Sequence, residues 1–117
     1  MRRFPFLVIA LVTTLSFILS CSKGGPVNNT PVCDNVTNKN FTADVNPIIQ
    51  TFCNKAGCHN PGSVNGPGSL INYTEVFNAR SAIRPAIVSG LMPQDATLTT
   101  AQRNTIICWI DSGAPNN

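Results

Sequence analysis

Val45, Ile48, Ile49 and Phe52 fall at i, i+3, i+4 and i+7 with polar residues between them, and this spacing predicts a helix with one apolar stripe. Thr42 or Asp44 is placed to cap it, and Pro47 falls in its first turn, where a missing N–H is tolerated. Further on, Tyr73, Val76 and Phe77 predict one short helical turn and Ile83 and Ile87 another, with Pro85 separating the two or starting the second. Gly90 ends that element, and Leu91-Met92-Pro93 lies in a turn-rich segment outside any helix. The strongest helix signal comes last. Thr99 and Gln102 have the spacing of a capping box, Ile106, Ile107, Trp109 and Ile110 form an apolar face, and Gly113 stands where a helix would stop. Trp109 reads as a core residue packed against the first helix. Between the first two patterns, Asn60 to Ser69 holds two Pro and three Gly and reads as a loop. No run alternates as a strand does, so the expected fold class is all-α, with three to five short helices joined by long loops.

The first forty residues show no such stripe. Arg2 and Arg3 precede a largely apolar run of sixteen, Phe4 to Leu19, which is shorter than the roughly 20 residues a membrane-spanning helix needs. Ile18-Leu19-Ser20-Cys21 follows as a small-residue cleavage site ending in cysteine. The pattern resembles a bacterial lipoprotein signal, which implies cleavage before Cys21 and lipid on its thiol. An ordinary N-terminal anchor or secretory signal with a stray cysteine is the plainer alternative. Both readings export the domain. Ser22 supplies no acidic signal for inner-membrane retention, so the outer membrane is the expected address, on its periplasmic or its surface face. Ser22 to Val32 is rich in Gly, Pro, Asn and Thr and reads as a tether, able to span up to about 35 Å at ~3.3 Å per residue. The expected organisation is therefore a signal over 1–20, a flexible tether over 21–40 and a folded domain over 41–117.

Composition adds two constraints. Once residues 1–20 are set aside, six Lys and Arg face five acidic residues, and nothing suggests a nucleic-acid surface. Only Phe41, Phe52, Tyr73, Phe77 and Trp109 remain as aromatic core material, so a domain this small calls for a staple: a metal, a cofactor or disulfides. With Cys21 acylated, Cys33, Cys53, Cys58 and Cys108 are left in an oxidising compartment.

Two of them define the informative stretch, Cys53-Asn54-Lys55-Ala56-Gly57-Cys58-His59. Two thiols followed at once by an imidazole are the arrangement by which a protein holds a haem covalently: each sulfur adds to a vinyl group and the adjacent His ligates the iron. Two residues usually separate the cysteines; here there are four, the longer-loop form. With the helix before it, the loop after it, the Met-Pro turn and the apolar final helix, the motif resembles a small class I type cytochrome c domain over about Phe41 to Ala114. The Val45-Asn46-Pro47-Ile48, Gly90-Leu91-Met92-Pro93 and Trp109-Ile110-Asp111-Ser112-Gly113-Ala114 stretches look like those of single-haem domains in exported bacterial proteins. The resemblance implies one covalent haem c, thioether bonds to Cys53 and Cys58, His59 as proximal and Met92 as distal iron ligand. It further implies an electron carrier, not an enzyme, that exchanges single electrons with redox partner proteins of the envelope.

Other chemistry fits the same residues. Cys53 and Cys58 could form a local disulfide around Gly57, leaving His59 an ordinary surface residue in a non-redox, disulfide-stapled outer-membrane lipoprotein that acts as a binding module. A zinc site expects four ligands in close pairs, and only one such cluster exists. Redox-active dithiol chemistry lacks its usual spacing and a surrounding strand–helix alternation. His59 is the only histidine, which leaves no Ser-His-Asp set. Methionine ordinarily fills core gaps, but Met92 is the sole Met once Met1 leaves with the signal, and it lies in a loop. A haem peroxidase would need an open iron position, which a Met92 ligand would close. Arg80 and Arg84 read first as solvated helix charges and second as haem-propionate partners. Cys33 and Cys108 are the cysteines a haem would leave over; a bond between them would fasten the domain's entry to its exit, and two free buried thiols are the alternative.

Overall fold

The computed structural model describes residues 31–117; the expected signal over 1–20, Cys21 and the expected tether through residue 30 lie outside the described residues. Three α-helices carry the fold: α1, Asn46–Phe52; α2, Tyr73–Val88; and α3, Thr100–Asp111. The described residues contain no strand, and the domain is all-α. No helix among them is long and apolar enough to cross a membrane.

A five-residue π-helical turn, Phe41–Val45, leads directly into α1. Neither Thr42 nor Asp44 caps it; the Asp44 carboxylate instead accepts from the Asn40 N–H at 2.9 Å. The N–H donors of the first turn are met from the far end of the chain. Asn117 accepts the Phe41 N–H on Oδ1 and the Thr42 N–H on its backbone oxygen, both at 2.8 Å. Helix starts leave such N–H groups without intrahelical partners, so the C-terminus finishes what the local sequence does not. The early start lets Phe41 reach the core, where its ring meets Tyr73 edge-on at 5.0 Å and Trp109 at 5.4 Å.

α2 is one helix, although Pro85 predicted two pieces. Pro85 sits in its last turn, where few ladder bonds remain to lose, and Val76, Ala79, Ile83 and Ile87 make one continuous buried row across it. Breaking the helix would expose part of that row; each fully buried aliphatic side chain contributes about 1.5–3 kcal/mol, comparable to the roughly 3 kcal/mol cost of an interior proline. Asn72 caps its start by accepting from the Glu75 N–H.

α3 follows its sequence pattern. Both capping-box bonds between Thr99 and Gln102 are present, and Gly113, at φ +97°, turns the chain back so that the Ala114 N–H reaches Trp109 O at 2.9 Å. Thr105 through Trp109 are all buried, which a helix on a surface would not show. The reason is that α2, the Phe41–Val45 turn and the Cys33–Asn35 turn all pack against it. Cys33 is joined to Cys108 by a disulfide, so residues 33–40, grouped with the tether on composition, are fastened to α3. Trp109 is fully buried and donates from Nε1 to Pro115 O at 2.9 Å.

Candidate functional site

α1 ends at Phe52 because the chain must turn, and Cys53 stands at its C-terminus with its N–H still bonded to Ile49 O at 2.9 Å. The next six residues form a compact loop. Lys55 N–H bonds Cys53 O, Cys58 N–H bonds Lys55 O and His59 N–H bonds Cys53 O, at 2.9, 2.9 and 3.1 Å. Gly57, at φ +79°, supplies the left-handed residue this return needs. Cys53 is buried, Cys58 is half-buried, and both are free thiols.

His59 is 8% exposed and held from three sides. Besides its own N–H, its carbonyl accepts from Leu70 N–H at 2.9 Å, and its ring Nδ1 lies 2.8 Å from Gly68 O. A carbonyl can only accept, so Nδ1 carries the hydrogen and, in the neutral imidazole, Nε2 keeps the lone pair. No hydrogen bond in the described residues engages Nε2. A ring nitrogen oriented in this manner by its opposite N–H is the usual state of a metal-ligating histidine.

A cavity of about 340 Å³ opens beside this loop, lined by Cys53, Cys58, His59 and Met92 among others. A second, almost wholly apolar one of about 190 Å³ adjoins it at His59, Gly66 and Met92 and runs under Leu70, Ile83 and Ile87. The fold thus brings together all four residues singled out on sequence for a haem. Met92 is half-buried, packs against the core from the segment after α2, and bonds through its N–H to Ala86 O at 3.2 Å. An ion pair spans from the cysteine loop to the methionine segment, Lys55 Nζ to Asp95 at 3.0 Å. Both partners are well exposed, and such a pair contributes at most about 1 kcal/mol.

The Cys53 thiol is pushed up to about 11, first by burial and then by the neighbouring Cys58, with Lys55 opposing. A reactive thiol needs the opposite shift, so Cys53 is not placed to act as one. No group of three or more His, Cys, Asp and Glu side chains gathers for a metal ion among the described residues. A zinc site made of protein ligands alone is therefore not among them, whereas two free thiols, one open imidazole nitrogen and one thioether sulfur around one cavity, with an apolar cavity adjoining at His59 and Met92, are a donor set that fits a haem.

Arg80 and Arg84 are engaged elsewhere. Arg80 lies 3.8 Å over the Phe77 ring and donates to Phe77 O, and Arg84 makes a two-pronged pair with Asp111 at 2.6 and 2.8 Å. Neither lines either cavity. Asn65 and Asp95, which line the main cavity, and Gly68, whose carbonyl orients His59, carry no motif that would have marked them; the Asn65-Gly66 pair signals a turn and nothing more. Comparison with protein-family models, with curated proteins and with solved structures finds no match.

Proposed function

We propose that this protein is a single-haem c-type cytochrome of the cell envelope, held to the outer membrane by lipid on Cys21 and passing single electrons between envelope partner proteins. The observation that carries the reading is the buried His59, with Nδ1 committed to Gly68 O and Nε2 free, beside a cavity that Cys53, Cys58 and Met92 also line. In it, Cys53 and Cys58 would hold the haem through thioether bonds, and His59 and Met92 would hold its iron. The bound haem supplies the one-electron chemistry. The chain's own part is to fix its ligands and exclude water: Gly68 O orients the imidazole, and Leu70, Ile83 and Ile87 form an apolar wall. Were His59 and Met92 both to hold the iron, small substrates would lack access to it, which favours a carrier over a peroxidase. The Cys33–Cys108 disulfide is common to this reading and to a non-redox stapled module.

The test is the protein made in a host able to attach haem. Intact mass should show one haem added, with no alkylatable thiol at Cys53 or Cys58, and the colour should survive denaturation and acid-acetone extraction. A colourless product with a Cys53–Cys58 disulfide would instead establish the binding module.

A further inference from the structure

The four residues between the cysteines make a loop longer than the haem-binding motif requires, and the two carbonyls where it ends, Gly57 O and Cys58 O, receive no backbone hydrogen bond among the described residues. One side chain from the following loop takes both. Asn65 Nδ2 donates to Gly57 O at 2.9 Å and to Cys58 O at 3.3 Å. Ser63 Oγ also donates to Cys58 O and accepts the Asn65 N–H at 3.2 Å. The backbone of Asn65 continues the connection: its carbonyl accepts from Gly68 N–H at 3.0 Å, and Gly68 O in turn holds His59 Nδ1 at 2.8 Å. Asn65 therefore touches the loop that presents Cys58 and the residue that orients the imidazole, and it lines the main cavity as well.

We propose that Asn65 is a positioning residue: its carboxamide clamps the Gly57–Cys58 segment to the Gly66–Gly68 turn, so that the Cys58 sulfur and the His59 ring address one cavity despite the longer cysteine loop. Two carbonyl acceptors call for a group with two donor hydrogens. A primary amide has two, a hydroxyl one and a carboxylate none. Aspartate, the same size, would set its oxygens against two carbonyl oxygens. The clamp is a property of the chain alone; its consequence for haem rests on the functional reading above.

The experiment compares the full chain with Asn65→Ala, Asn65→Asp and, as a control on a remote exposed amide, Asn38→Ala. Protein made without haem-attachment machinery gives a haem-independent readout, hydrogen exchange at the Cys58 and His59 backbone amides. Both Asn65 variants should speed it by on the order of tenfold or more, the effect of removing two ordinary hydrogen bonds from a local opening equilibrium, while α3 amides stay unchanged. The same four chains made in a haem-attaching host give the second readout, the fraction carrying covalent haem and the strength of the ferric sulfur-to-iron band. Asn65→Asp should lower both several-fold and Asn38→Ala neither. If Asn65→Ala fails to unfold cooperatively, Asn65→Ser, which keeps one donor, takes its place and should fall between wild type and Asn65→Asp. Wild-type exchange rates in the Asn65 variants overturn the clamp. Faster exchange with unchanged haem uptake and spectrum overturns the positioning role. Wild-type protein that takes up no haem overturns the functional reading instead, and the exchange rates still judge the clamp.

Discussion

Cys33→Ser removes the one covalent link between the domain's entry and its last helix with little other damage. Cys33 is partly exposed and accepts a hydroxyl, while Cys108, fully buried, stays behind as a thiol that packs like a small apolar group. The cross-link joins residues 75 apart. For a loop of that length the chain-entropy relation gives about 4.5 kcal/mol at 25 °C, and native disulfides generally deliver about 2–4 kcal/mol. The Asn117 bonds to Phe41 and Thr42 hold the same two ends together, but they vanish on unfolding, whereas the disulfide acts on the unfolded chain. They therefore do not substitute for it. In urea unfolding followed by far-ultraviolet circular dichroism, Cys33→Ser should lose about 2–4 kcal/mol and show a steeper denaturant dependence, because its unfolded state is more expanded. At roughly 4–8 °C per kcal/mol for a domain of this size, Tm should fall by on the order of 10–25 °C. A loss within about 0.5 kcal/mol of zero, or ready alkylation of both thiols in unreduced native protein, would refute the reasoning.

In the haem-loaded protein, Met92→Ala should leave the haem attached, remove the ferric sulfur-to-iron band, lower the potential and open the iron to added ligands; a wild-type spectrum and potential would make Met92 core only. In haem-free protein, alkylation at pH 8 should label Cys58 well before Cys53, whose folded value of about 11 lies above its ordinary value. That raised value contributes stability below pH ~9 that is lost as pH rises toward 11, so haem-free Cys53→Ala should flatten the alkaline end of the stability profile; equal labelling rates would count against the burial of Cys53. Asp111 is held below the usual carboxylate range by its hydrogen bonds with Arg84, so its contribution is present at neutral pH and lost as pH falls through the lowered value. Both groups are solvent-accessible, and Asp111→Asn should cost no more than about 1 kcal/mol at pH 7 in urea unfolding; a loss above ~2 kcal/mol would show the pair to be doing more than screening permits.

What could be read from the sequence was whatever a short window encodes. The i, i+3, i+4 stripe of α1, the Thr99–Gln102 box and the Gly113 stop are local patterns, and each is present in the fold. The cysteine–histidine run and Met92 were legible as residue types, and the fold places them around one cavity. Pro85 misled because a local rule was weighed without the buried row that overrides it. The helical turn that begins at Phe41, ahead of the expected Thr42 or Asp44 cap, was hidden for a different reason: its donors are satisfied by Asn117, 76 residues away, and no window reaches that far. Gly68 was invisible in principle, since its part in the site is played by a backbone oxygen that every residue possesses.

The disulfide and the His59 site occupy separate parts of the fold. Neither Cys33 nor Cys108 lines either cavity beside His59; the disulfide ties the incoming chain to α3, while the cavities lie between the Cys53–His59 loop, the 60–69 loop, α2 and the Met92 segment. The site's geometry is set by short bonds inside those loops, Asn65 to the cysteine loop and Gly68 to the imidazole, none of which passes through α3. Mutations more than about 7–10 Å apart with no shared partners act additively. On the proposed function, loss of the disulfide should therefore reduce stability at constant haem spectrum and potential, and loss of the Asn65 clamp should change the spectrum. A Cys33→Ser/Asn65→Asp double variant that showed the sum of the two effects would identify the disulfide and the Asn65 clamp as independent devices, and a departure from the sum would show them to be coupled.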